Sequence, residues 1–245
     1  MARYDVASAA LRSLSSNSAA GKFRVLPTRM ETQSSKPDPA PYPQKQKRIW
    51  RVVLLILATP LFLSVMLYCG CTGPTNLSQY PAADQSPYRL PWAAGKTFRC
   101  CQSNRGVVSH RGREQFAYDF AMPVGTDVCA ARGGKVIKVT INHDGHGRNM
   151  PNNLIAIQHD DGTLGYYLHL RKDGSRVKVG DMVKQGQVIA ASGHVGKSLM
   201  PHLHFHVMDS NRKSTLPLSF SDIDKDSGVP RMFKTYTSGN LPNEP

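Results

Sequence analysis

The sequence predicts a mainly β protein: a compact antiparallel β-sheet domain that follows a single apolar N-terminal helix. Three observations carry this expectation. Between residues 91 and 221 the chain reads as short β-rich runs separated by Gly, Asp and Pro turns, with few segments of helical period and length. One run, Pro201-His202-Leu203-His204-Phe205-His206-Val207, alternates imidazoles with apolar side chains. Far upstream, an uncharged stretch from Val52 to Tyr68, continuing through Cys71, follows a basic cluster.

Taken from the N-terminus, residues 1–48 are rich in Ser, Pro, Ala and Gln, and Lys36-Pro37-Asp38-Pro39-Ala40-Pro41-Tyr42-Pro43 would break any helix. This segment reads as a disordered basic cytoplasmic tail. The chain carries a formal charge of +14 over 245 residues, and its first 51 residues hold ten Lys/Arg against three Asp/Glu. Such a balance favours polyanions, whether nucleic acid, anionic lipid headgroups or acidic wall polymers. No RRM, helix-turn-helix or zinc-finger spacing is present, so nucleic acid is not expected as a partner.

Residues 49–71 read as a transmembrane helix or signal anchor. Their apolar core is near the ~17-residue lower limit for spanning a bilayer. Trp50 and Tyr68 stand at its ends, where interfacial aromatics are favoured, and Lys45-Gln46-Lys47-Arg48 precedes it. The basic flank puts the tail in the cytoplasm, so a single-pass protein of the inner (cell) membrane is expected, with its domain in the periplasm or at the outer face. An alternative is a lipoprotein anchored at Cys71, because Gly70-Cys71 resembles the end of a lipobox; translation from Met30 would give a signal of suitable proportions.

Residues 72–90 form a Pro/Ser/Gln-rich linker, residues 91–221 the β domain, and residues 222–245 a loosely ordered C-terminal tail. Within the domain, 134–141 and 153–159 alternate apolar and polar residues, and Asp161-Gly162 turns the second run into 165–170. Runs 188–191 and 202–208 complete the candidate strands. Cys100, Cys101 and Cys129 lie in this domain, where pairing of Cys129 with either neighbour is open.

On a strand, His202, His204 and His206 share one face, while Leu203, Phe205 and Val207 face the core. Three imidazoles on one face suit a transition metal or proton-transfer chemistry better than a merely solvated surface. A catalytic zinc takes three N/O ligands and keeps one position open, so further ligands must come from elsewhere. His110, Asp119 and His169 are the candidates, each ordinary by itself.

Their order and surroundings are informative: His110…Asp119-Phe120-Ala121-Met122-Pro123-Val124-Gly125-Thr126, then Tyr167-x-His169-Leu170, Val179-Gly180-Asp181, Gly186-Gln187, and Pro201-His202-Leu203-His204-Phe205. Over roughly 105–208 this succession resembles the lysostaphin/LytM-type zinc metallopeptidases. The resemblance implies one Zn2+ per domain held by His110, Asp119 and His204, with His169 and His202 as metal-free catalytic histidines. It implies an endopeptidase acting on peptidoglycan cross-bridge or stem peptides, within an antiparallel β domain carrying a narrow groove. The alternative is a degenerate, non-catalytic peptidoglycan-binding regulator. A regulatory envelope protein is a further expected partner, since wall hydrolysis must be controlled.

The sequence departs from the common family pattern in three places. The first His of that pattern precedes the Asp by four positions, where this chain has Gln115; His110 lies nine before Asp119 and needs a longer loop to return to the metal. Asp127 stands where Pro is frequent, and His206 where Glu is frequent. His206 is expected to be a bystander, since two residues along a strand move it about 6–7 Å away.

Overall fold

A computed structural model of the protein describes residues 76–241, apart from 107, together with positions 48, 49, 51–54, 56–60, 62 and 64, which have helical backbone. The remaining positions of the segment read as a membrane helix, Cys71, and most of the N-terminal tail lie outside the described residues. Among the described residues, no helix is long and apolar enough to cross a membrane.

Eleven strands build the domain: β1 Thr97–Gln102, β2 Tyr118–Ala121, β3 Asp127–Cys129, β4 Gly134–Thr140, β5 Leu154–Gln158, β6 Leu164–Leu168, β7 Leu170–Ser175, β8 Met182–Val183, β9 Val188–Ser192, β10 His202–Met208 and β11 Thr235–Thr237. Eight form one sheet in the order β11-β1-β2-β10-β6-β5-β4-β8, and β3-β9-β7 form a second. Every pairing between these strands is antiparallel.

The strands read from alternation are present, because period-2 alternation between a core face and another face is what a packed sheet requires. Those that sequence did not reveal have physical reasons for their silence. β1 is irregular, its register shifting between Cys100 and Gln102, and β7 is largely charged and exposed over Arg171–Asp173. β3 and β11 are three residues long and β8 two.

Core side chains from both sheets meet in one cluster. Leu203, Phe205 and Val207 of β10 join Tyr118 and Phe120 of β2, Tyr167 of β6, and Val128 and Ile189 of the smaller sheet. Trp92 packs edge-on against Phe120 at 4.8 Å, and Phe220 contacts Tyr118, Phe120 and Phe205. Buried hydroxyls here have partners: Tyr118 donates to the Leu218 carbonyl and Tyr167 accepts from the Ala131 amide, both at 2.8 Å. The same core takes in Tyr80 and Tyr88, which the sequence placed in the linker, and Ile223, Val229 and Tyr236, which it placed in the tail. Residues 222–241 therefore close one edge of the large sheet, with β11 paired to β1. Cys100, Cys101 and Cys129 are free thiols.

The chain leaves the large sheet at the end of β6 and enters the small one at β7, with one residue, His169, between them. His169 has φ +63°, a left-handed conformation costing a non-glycine residue about 1–2 kcal/mol. That corner breaks what the sequence presents as a continuous strand over 165–170. Beneath it, Gly193 lets the backbones approach: a Cβ there would lie 2.5 Å from the Arg171 nitrogen and 2.7 Å from the His169 oxygen. Gly193→Ala is expected to lower stability by about 1–3 kcal/mol through overpacking. Denaturant melts check this, and an unchanged stability of the variant would refute the close approach at Gly193.

Candidate active site

Sheet register assembles the site. On β2, Tyr118 and Phe120 face the core, so Asp119 faces the opposite side. Antiparallel pairing sets Asp119 directly across from Gln102 of β1 and from His204 of β10, which is itself opposite Leu168 of β6. A row running across four strands thus places a carboxylate beside an imidazole. His110 joins from the segment between β1 and the 3-10 turn Gly112–Glu114. It is fully buried.

Asp119 Oδ1 is the point on which the histidines converge. It lies 2.8 Å from His204 Nδ1, 3.2 Å from His110 Nε2 and 3.6 Å from His202 Nε2. The other oxygen, Oδ2, accepts from Gln102 Nε2 at 2.9 Å, which fixes the carboxylate plane. His110 Nδ1 is 2.9 Å from the Ser103 carbonyl and donates its proton there. Its Nε2 then carries a lone pair and has no hydrogen-bond partner despite being buried. A nitrogen lone pair facing a carboxylate oxygen at 3.2 Å is repulsive unless a proton or a cation lies between them.

Charges follow from this arrangement. Burial alone would raise the Asp119 carboxyl, but His110 and His204 outweigh it and hold it well below the usual carboxylate range. For His110, burial pulls downward and Asp119 more than reverses it, so its imidazole is raised. His169 is different: burial, then His202 and His204, take it down to about 3, so it is neutral at ordinary pH. Its Nδ1 donates to the Val195 carbonyl at 2.9 Å, leaving Nε2 as a free base. His202 Nδ1 is likewise placed 2.7 Å from a backbone carbonyl, that of Met200. The His169 and His202 rings are 4.5 Å apart.

These histidines give metal-free folding a definite pH dependence. Burial lowers His159, His169, His194 and His206 below the ordinary value, so below about pH 6.5 the unfolded chain binds more protons at these positions and stability falls with pH. His110, raised, acts in the opposite sense: its contribution is complete below the unfolded value and is lost as pH rises through the folded one. Four groups against one predict a lower Tm for the metal-free protein at pH 5.5 than at pH 7.5. A Tm that rises on acidification, followed by circular dichroism, would contradict neutral buried histidines.

Asp119, His169, His202 and His204 line one groove of about 720 Å³. Its walls include exposed Arg111, Arg148 and Lys197, half-buried Glu114, and apolar Val108, Leu199 and Met200. Leu199 is 88% exposed. Gln115, which occupies the common pattern's first-His position, does not line the groove.

Residues 113–217 match the family model described as Peptidase family M23. The chain is 38% identical over 112 residues to the glycyl-glycine endopeptidase ALE-1 of Staphylococcus capitis, covering 44% of this chain and 29% of that protein. It is 40% identical over 120 residues to the peptidoglycan DD-endopeptidase ShyB of Vibrio cholerae, covering 47% of this chain and 25% of that protein. Against the solved catalytic domain of lysostaphin from Staphylococcus simulans it is 31% identical, with 50% of this chain and 87% of that chain covered and a TM-score of 0.38.

Residues 113–217 form a peptidase family M23 domain.

The M23 match contains Asp119, His169, His202 and His204, and begins after His110. The chain spans between 22% and 31% of the length of the first curated relatives it resembles. His110 Nε2, Asp119 Oδ1 and His204 Nδ1 are the atoms that converge, in a residue group whose ligand atoms lie within 4.8 Å of one another. Two imidazole nitrogens and one carboxylate oxygen, beside an open groove, are a donor set that fits a catalytic zinc. The lone pair of His110, otherwise unsatisfied, gives that fit a reason in this molecule.

Several contributors are invisible in the sequence. Gln102 orients Asp119, and the carbonyls of Ser103, Val195 and Met200 set the protons of His110, His169 and His202. These are tertiary contacts of residue types found in any loop. The imidazoles of His146 and His194 stack at 3.7 Å, and beside them Gly147 and Gly196 link the two loops by a 2.9 Å backbone hydrogen bond.

Proposed function

We propose that the protein is a zinc-dependent endopeptidase hydrolysing peptide bonds in peptidoglycan cross-bridges or stem peptides during wall remodelling. The observation carrying this reading is the convergence of His110 Nε2, His204 Nδ1 and Asp119 Oδ1 beside two histidines with free Nε2 atoms, all but His110 lining the groove. The names of the M23 relatives, glycyl-glycine endopeptidase and peptidoglycan DD-endopeptidase, support a wall peptide as substrate.

His110, Asp119 and His204 would hold the metal. Zinc supplies a Lewis acid that polarises a carbonyl and acidifies a water. The rest falls to this chain's own groups. His169, kept neutral by burial, takes a proton at Nε2 while the Val195 carbonyl holds its ring in place. His202 offers a second Nε2 on the same wall, so one imidazole can accept a proton while the other returns one to the leaving amine. Leu199 and Met200 give the peptide an apolar wall, and Arg111, Arg148 and Lys197 make the rim cationic.

The reading extends to location. Residues 49–71 would tether the protein in the inner membrane, or a lipid on Cys71 would do so, with the domain in the periplasm or at the outer face. An envelope protein would then control access to the wall. Digestion of purified cross-linked muropeptides, followed by mass spectrometry, tests the function: one new amine and one new carboxylate per cleaved link are expected. Products cut within the glycan strand, or intact muropeptides with zinc bound, would refute it.

A further inference from the structure

His206 was expected to be a bystander, and the structure gives it a partner. It lies on the same face of β10 as His204 and opposite Tyr166 of β6, is 4% exposed, and stacks on the Tyr166 ring at 5.1 Å and 26°. Its Nδ1 is 2.9 Å from His204 Nε2, with the two rings nearly perpendicular at 83°. Glu114 Oε2 stands 3.9 Å from the same Nε2, beyond hydrogen-bonding reach. The second nitrogen of a metal-binding histidine almost always donates to a carboxylate, carbonyl or water. Here the acceptor within reach is another imidazole.

A neutral His204 carries one proton and has two places for it. On Nδ1, the proton would go to Asp119 Oδ1, and the remaining lone pair of His204 would sit on Nε2, toward His206 and away from Asp119 and His110. On Nε2, it goes to His206, and Nδ1 faces Asp119 and His110 with its lone pair exposed. We propose that His206 is a positioning residue for the metal centre: its Nδ1 accepts the Nε2 proton of His204 and so reserves His204 Nδ1 for the metal. The stack on Tyr166 holds the accepting ring at the required angle. This inference rests on the reading of His110, Asp119 and His204 as the metal-binding set.

The test uses the full chain and zinc alone, titrated against a chromophoric chelator. His206→Phe keeps an aromatic ring against Tyr166 and removes the acceptor; His206→Gln keeps an acceptor oxygen. The phenylalanine variant should bind zinc about 10–100-fold more weakly, and the glutamine variant should recover most of that loss. A merely structural role would change the Tm of the metal-free protein in both variants and leave zinc affinity alone. Nitrogen-15 shifts of the zinc-loaded wild-type protein provide a second readout that depends on no variant: His204 should carry its proton on Nε2. Wild-type affinity in a folded His206→Phe would overturn the role of His206 alone, whereas a proton on His204 Nδ1 in the zinc-loaded protein would overturn that atom as a ligand and this inference with it. Failure of the wild type to bind zinc would overturn the metal reading and this inference with it.

Discussion

His169→Ala is expected to lower kcat/KM on cross-linked muropeptides by about 10²–10⁴-fold, the usual worth of a positioned general acid–base, with zinc affinity unchanged. The separation of the two effects follows from geometry. His169 lies at the corner between β6 and β7, and its Nδ1 is held by the Val195 carbonyl. It stands outside the group of His110, Asp119 and His204 whose ligand atoms converge. Its ring is 5.9 Å from that of His204, so removing it should leave the donor set intact. Burial keeps it in the neutral form, with the Nε2 lone pair available to accept a proton. His169→Ala also relieves no left-handed strain, since alanine has a Cβ too; a loss of activity would therefore report the imidazole. Zinc content by elemental analysis and full steady-state kinetics separate the outcomes. A variant that loses zinc along with activity would place His169 among the ligands instead.

Asp119→Ala should have the complementary effect: no zinc bound at micromolar metal, hydrolysis at background, and a metal-free protein less stable by about 1–3 kcal/mol. The stability figure is that of a buried donor left without its acceptor, and here the Gln102 amide loses one. The change also has a pH signature. Asp119, held well below its unfolded value, contributes stability that is present above pH ~4 and lost as pH falls through its folded value. The raised His110 loses the charge that raises it, so its contribution below pH 6.5 should vanish in the variant. Retention of zinc by Asp119→Ala would show that the metal, if bound, sits elsewhere.

Legibility of this site in the sequence followed how local each feature is. A strand's period fixes faces, so Leu203 and Phe205 against His202, His204 and His206 could be read directly, as could the strands 134–141, 153–159 and 188–191. His110 was harder. It lies outside the matched 113–217 and nine residues from Asp119, and the loop that returns it depends on the Ser103 carbonyl, which no spacing rule encodes. The corner at His169 was hidden because Tyr-Tyr-Leu-His-Leu reads as an uninterrupted strand; the change of sheet is imposed by packing over Gly193. The chain from Asp222 to Leu241 looked like a tail because its apolar residues, Ile223, Val229 and Tyr236, follow no period, although all three join the core. His206 was discounted by distance from the metal, whereas its effect runs through the second nitrogen of His204.

The most direct measurement is release of new amino groups from purified sacculi by the full chain, assayed metal-free, zinc-loaded, and zinc-loaded with chelator. The account predicts release only in the zinc-loaded sample, its loss on chelation, and its return when zinc is restored. Zinc-independent release, or none from a protein shown to bind zinc and to contact the sacculus, would contradict a zinc endopeptidase of the wall.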